Sequence, residues 1–166
     1  MRELTAESRE ELLERLMAEY GDRVMRTCLL FLRSRHLAED ASQETFFRAW
    51  RALDRLHEGG TEKAWLMKIA VNVCKSALRT RPVFVPEDQA PESGTADRYP
   101  DDTVFRAVIG LPVKYRSPVI LFYYQGFSVD EIAGILRLPA ATVRTRLSRA
   151  RSRLKDVLKG WYFDNE

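Results

Sequence analysis

The chain has 166 residues and a mass of 19.2 kDa, the size of one large domain or two small ones. With 45% hydrophobic and 31% charged residues, it holds enough apolar material for packed cores, which excludes wholesale disorder. Its apolar runs are only a few residues long, which excludes a membrane-spanning helix. The Met1-Arg2-Glu3-Leu4 start lacks the apolar stretch of a signal peptide, and Cys28 and Cys74 stand alone among apolar neighbours, not in a disulfide framework. A soluble, cytoplasmic protein is expected.

The net charge of +3 hides an asymmetry. Residues 1–81 carry 15 basic and 13 acidic groups, residues 82–103 one and six, and residues 104–166 eleven and five. A basic final third behind an acidic middle points to a polyanion partner for that end.

In chain order, Leu12, Leu13, Leu16, Met17 and Tyr20 recur at helical spacing, and Gly21 reads as a stop or bend. Val24 to Leu32 is densely apolar, as in a buried helix. From Asp40 to Leu56, Ala41, Phe46, Phe47, Trp50 and Leu53 are interleaved with polar residues, and Gly59-Gly60 breaks the run. Thr61 is placed to cap a helix running through Trp65, Ile69, Val73 and Leu78. Pro82 to Pro100 holds four prolines and no periodicity, and reads as a linker. It is either a simple tether or an acidic segment that contacts the partner or shields the basic end.

Beyond it, Val104, Val108 and Leu111 mark a helix closed by Pro112, and another is expected from about Ser117 to Tyr124, ended by Gly126. The fold class is all-α: two small helical domains, residues 1–81 and 101–166, joined by a flexible linker over residues 82–100.

The final stretch is the most informative. Ser128 and Glu131 form an S-x-x-E capping box, and Phe127 and Ile132 occupy the positions of a hydrophobic staple. Val129, Ile132, Ala133 and Leu136 supply one apolar face, and the helix must end before Pro139. A second helix starts near Ala140 with Val143, Leu147, Leu154 and Leu158 on its apolar side. Two short helices joined by a tight turn make a helix-turn-helix. The second carries Arg144, Arg146, Arg149, Arg151, Arg153, Lys155 and Lys159 against a single carboxylate, Asp156. Arg144, Ser148 and Arg151 share one side, with Thr145 and Arg149 beside them. Arginines there can bond guanine edges in a major groove or pair with phosphates.

Three motifs in order resemble the extracytoplasmic-function (group 4) sigma factors of bacterial RNA polymerase. The first is Asp40, Gln43, Glu44, Thr45, Phe46, Arg48, Ala49 and Trp50. The second is Trp65, Leu66, Lys68, Ile69, Ala70, Asn72 and Lys75. The third runs from Leu111-Pro112 through Phe127 to Ala133 and Thr142 to Arg151. The resemblance implies a protein that binds core polymerase, recognises the −10 and −35 promoter elements and aids strand opening. It implies that Asp40, Gln43 and Glu44 dock on core polymerase. Phe46 and Trp50 beside them would either belong to that interface or, the preferred reading, lie in the core. Lys68, Asn72 and Lys75 would meet the single-stranded −10 element, and the loop from Leu56 to Ala64 would hold a flipped base. Trp65 could stack on a base, but its spacing from Ile69 favours the core. Thr142, Arg144, Thr145, Arg146, Ser148 and Arg149 would read and grip the double-stranded −35 element. An anti-sigma factor is the implied regulator, and the aromatic tail Trp161-Tyr162-Phe163 is expected to pack back on its domain. Three places depart from the family pattern: Arg137 stands at a turn often filled by Gly, Ala141 replaces a common Gly, and the −10 loop carries His57, Glu58 and Lys63 where an aromatic or two is expected.

Other classes fit less well. No phosphate-binding, dinucleotide or zinc-protease motif is present, and only His36 and His57 are available as bases. No enzyme, metal or cofactor is therefore expected. The alternative is a helix-turn-helix regulator that does not replace the polymerase specificity subunit, and it would need neither of the first two motifs.

Overall fold

A computed structural model describes residues 6–56, 61–80 and 102–163. The expected linker over residues 82–100 lies outside them, as do His57, Glu58, Gly59 and Gly60 of the −10 loop and the side chains of Trp161, Tyr162 and Phe163. The chain divides into two compact units, Met1–Val83 and Phe84–Glu166. Among the described residues there is no strand.

The first unit is built from α1 (Ala6–Leu32), α2 (Arg35–Arg51), a 3₁₀ turn (Leu53–Arg55) and α3 (Glu62–Thr80), each helix packed on the other two. Leu16, Val24, Cys28 and Phe31 of α1 meet Ala38, Ala41, Phe46 and Ala49 of α2 and Leu66, Met67, Ala70, Val71 and Cys74 of α3 in a common core. The two cysteines are buried free thiols.

Gly21 does not stop α1, which runs 27 residues without a break. One glycine costs a helix only about 1 kcal/mol, less than the burial of Leu16 and Val24 on either side of it returns. The second helix starts at Arg35, five residues before Asp40, because Arg33 turns left-handed (φ 62°) and Ser34 then caps, accepting from the Leu37 N–H at 3.3 Å. Thr61 caps α3 as its position implies, accepting from the Ala64 N–H at 3.2 Å. Arg15 clamps the start of α3 through both guanidinium nitrogens to Glu62, at 2.6 and 2.9 Å.

The second unit contains α4 (Asp102–Ile109), α5 (Val113–Val119), a π-helical turn (Ile120–Tyr124), α6 (Val129–Leu136) and α7 (Ala140–Phe163). The helix expected from Ser117 begins four residues earlier, with Pro112 as its N-cap. Proline suits a helix start because the N–H it lacks would have no helical partner there. Inside α5, Pro118 removes one helical donor. Just beyond it the chain widens into the π turn, whose end is marked by the Gln125 N–H bonding Ile120 O at 3.1 Å. Buried Arg116 donates to Ile109 O and Leu111 O at 3.2 and 2.9 Å, so its charge satisfies carbonyls left open where α4 ends. Gly126, at φ +74°, turns the chain toward α6.

The capping box on α6 is complete: Glu131 N–H bonds Ser128 Oγ and Ser128 N–H bonds Glu131 Oε1, both at 3.1 Å. Phe127 and Ile132 are both buried, as a staple requires. Arg137 closes α6 in the left-handed region (φ 55°, ψ 49°). Val143, Leu147 and Ala150 fix α7 against α5 and α6, whereas Leu154 and Leu158 are only half-buried.

Two stability outcomes follow from these caps. Arg137→Gly relieves a left-handed non-glycine residue and is expected to raise stability by up to about 1 kcal/mol. Ser128→Ala opens the capping box and is expected to cost about 1 kcal/mol. Denaturant unfolding of the full chain measures both.

Candidate nucleic-acid and protein interfaces

α2 buries Ala38, Ala41, Thr45 and Ala49, which leaves Asp40, Gln43, Glu44 and Phe47 at i, i+3, i+4 and i+7 on its outer side. Asp40 and Gln43 are exposed, and Asp40 lies 3.7 Å from His36. Glu44 is half-buried and accepts from Arg48 Nε at 2.9 Å. Phe47 is 55% exposed, a large apolar residue on the outer side that the sequence did not distinguish from its neighbour Phe46. Phe46 is buried as expected, but Trp50 is half-buried. Together with Leu13, Glu10 and Glu14 of α1, these three aromatics line a groove of about 500 Å³. Arginines stack on two of the rings: Arg51 lies 5.5 Å from the Phe47 centroid and Arg9 5.3 Å from that of Trp50. Aromatic centre and charged edge are the composition of a protein-binding surface.

On α3, Lys68, Asn72 and Lys75 fall at i, i+4 and i+7 and are all half-buried on the side away from Met67, Ala70, Val71 and Cys74. Trp65 and Ile69 are half-buried too. The expectation of a core tryptophan is corrected: the buried stripe begins one residue later, at Leu66 and Met67, because α3 must face α1 and α2 together. Trp65 therefore stands at the edge of the same outward face as Asn72.

On α7, Arg144, Thr145, Ser148 and Arg149 are exposed, while Thr142 and Arg146 are half-buried. The Thr145 hydroxyl donates to Ala141 O at 3.0 Å. Two tyrosines outside the helix hold arginines of α7. Arg151 Nη1 donates to Tyr123 Oη at 3.1 Å, with Tyr123 itself 52% exposed. Tyr115 of α5, a buried residue, has Arg153 and Lys114 within 4.7 and 4.9 Å of its ring centroid, and Arg149, one turn before Arg153 on α7, stands beside its hydroxyl. Neither tyrosine was singled out from the sequence, since nothing local marks a phenol that meets an arginine about 30 residues later.

No group of histidine, cysteine and carboxylate side chains among the described residues is arranged to hold a metal ion. No helix among them is long and apolar enough to cross a membrane.

Comparison with known proteins matches both units. Residues 16–82 match the family described as Sigma-70 region 2, and residues 102–154 match Sigma-70, region 4. The chain belongs to the sigma-70 family, among the ECF RNA polymerase sigma factors. It is 31% identical over 149 residues to the ECF RNA polymerase sigma factor SigM of Mycobacterium tuberculosis, covering 87% of this chain and 76% of that one. It is 28% identical over 159 residues to SigW of Bacillus subtilis, covering 84% and 85%. Among solved structures, the sigma factor RpoE in complex with the anti-sigma factor NepR from Bartonella quintana superposes with a TM-score of 0.77. That match has 27% identity and covers 88% of this chain and 96% of RpoE. CnrH in complex with the cytosolic domain of CnrY superposes at 0.71, with 26% identity over 91% and 90%. The chain is thus an RNA polymerase sigma factor, and the plain helix-turn-helix regulator is not favoured.

The Tyr115 site has a titration signature. The Arg149 guanidinium beside the hydroxyl, helped by the Lys114 and Arg153 charges, holds this phenol below its ordinary pKa of 10.0, although burial works against it. Burial alone pushes Tyr124 up. A phenol whose folded pKa is depressed adds stability only as pH climbs through that value, so it adds none near neutrality. In an alkaline absorbance titration, Tyr115→Phe is expected to remove an early phenolate step and Tyr124→Phe a late one.

Proposed function

We propose that this sigma factor works in the cytoplasm as a non-catalytic specificity subunit. In this reading residues 1–81 bind core polymerase and the −10 element, residues 82–100 are a linker, and residues 101–166 bind the −35 element. The outer side of α2, with Asp40, Gln43 and Glu44 around Phe47, docks on core polymerase. An apolar ring inside a polar border supports that role, because it gives a dry contact with oriented hydrogen bonds at its edge.

The observation that carries promoter opening is the outward face of α3. Trp65 offers a stacking surface, Asn72 an amide that can bond a Watson–Crick edge, and Lys68 and Lys75 charges for the strand's phosphates. Of these, the stacking surface is the one that a duplex-reading helix has no use for. On α7, Arg144, Thr145 and Ser148 face bases, while Thr142, Arg146 and Arg149 complete the −35 contact. An anti-sigma factor is the proposed regulator. The solved relatives RpoE and CnrH were captured with NepR and the cytosolic domain of CnrY, which supports that partner.

The test is to add the purified chain to core RNA polymerase and follow transcription from a promoter library. Initiation at discrete promoters is the expected result, and transcription no different from core alone would refute it. Gln43→Ala with Glu44→Ala is expected to weaken core binding severalfold. Stability should change by about 0.5 kcal/mol at most, since only a surface pair with Arg48 is lost.

At the −10 face, Asn72→Ala is expected to change base preference at one position of a single-stranded oligonucleotide. Lys68→Ala and Lys75→Ala should instead weaken all sequences alike, each lowering the salt slope by about 0.7. Fluorescence anisotropy over a salt series separates the two behaviours.

A further inference from the structure

Four arginines of the first unit have carboxylate partners: Arg9 with Asp54, Arg15 with Glu19 and Glu62, Arg35 with Glu39, and Arg48 with Glu44. In the second unit a group of cations meets a phenol. Lys114, Arg149 and Arg153 gather around Tyr115, and among the described residues none of the three pairs with a carboxylate. Three like charges repel one another at this range. The electron-rich face of the phenol ring attracts Lys114 and Arg153, and the hydroxyl offers Arg149 a polar neighbour. The guanidinium fork and ammonium of such a cluster suit a phosphate group.

The position of the cluster selects which phosphate. Arg149 follows Ser148 directly on α7, and Arg153 lies one turn farther, so the cluster flanks the exposed Arg144, Thr145 and Ser148. A helix in a major groove has a phosphate strand along each flank. Helical spacing sets Arg149 and Arg153 together on the flank of that face, with Arg149 beside the Tyr115 hydroxyl. We propose that Tyr115 assembles Lys114, Arg149 and Arg153 into a seat for one DNA backbone phosphate, so that Arg149 grips the −35 duplex and does not read a base. The proposal rests on α7 being the −35-reading helix and deepens that reading: base choice falls to Arg144, Thr145 and Ser148. Tyr115 is a positioning residue, touching DNA only through the cations it holds.

The experiment titrates the full chain against a −35 duplex whose backbone phosphates are replaced singly by uncharged methylphosphonate, and against single-base variants of it. For wild type, one replacement is expected to cost about tenfold in affinity, the scale of a charged hydrogen bond. Tyr115→Phe keeps the ring and loses the hydroxyl. It, Lys114→Ala and Arg149→Ala should each bind severalfold more weakly, with an unchanged base profile and no further loss at that phosphate. Lys114→Ala should also lower the salt slope by about 0.9. Lys114 is exposed, so its variant reports on the seat even if the tyrosine variant folds poorly. An Arg149→Ala profile relaxed at one base pair, with phosphate sensitivity intact, overturns the proposal. If wild type prefers a −35 sequence and Tyr115→Phe and Lys114→Ala bind like wild type, the seat alone falls. If wild type prefers no sequence, the assignment of α7 falls and takes the seat with it.

Discussion

In a unit of three or four helices, the stripe that each helix buries decides which of its residues remain on the outside. Small residues set that stripe on α2, where Ala38, Ala41, Thr45 and Ala49 let the helix approach α1 and α3 closely. Asp40, Gln43 and Phe47 are left exposed as a consequence. The same constraint turns Lys68, Asn72 and Lys75 outward on α3, and Arg144, Thr145 and Ser148 outward on α7. The binding surfaces proposed for this sigma factor are therefore the complement of its cores, and a shift of one residue in any buried stripe would re-aim a whole set of side chains.

Charge is organised differently in the two units. In the first, Arg9, Arg15, Arg35 and Arg48 meet carboxylates, and the Arg15–Glu62 pair joins α1 to the start of α3. Surface pairs of this kind add little stability each. In the second unit one guanidinium is taken inside: Arg116 satisfies carbonyls where α4 ends, which offsets the cost of burying its charge. On α7, Arg149, Arg151 and Arg153 meet phenols. A phenol orders an arginine without cancelling its charge, and a polyanion requires that charge.

The turns carry the strain. Arg33 and Arg137 both sit at positive φ without being glycine, one at the corner between α1 and α2, the other in the helix-turn-helix. Each lets the next helix start within a few residues, so both corners are tight. The π turn after Pro118 has a related effect. It re-registers the chain before Gly126, so that Ile120 and Leu121 reach the core while Tyr123 is left outside beside Arg151.

Much of this was legible in the sequence. The all-α class, the capping box, the helix-turn-helix and the arginine-rich helix are local patterns, fixed by neighbours within a turn or two, and local physics suffices to read them. The polar residues at helical spacing on α2 and α3 were visible for the same reason. What the sequence left open depended on partners far along the chain. Whether Gly21 ends α1 depends on burial either side of it, and whether Trp65 is core depends on which stripe of α3 two other helices claim. Phe46 and Phe47 are chemically alike and adjacent, yet one is 8% and the other 55% exposed. The meeting of Tyr115 with Arg149, 34 residues apart, belongs to the same class. Periodicity states that a helix has two sides, but only the packing of helices against one another decides which side is covered and which distant side chains share an edge.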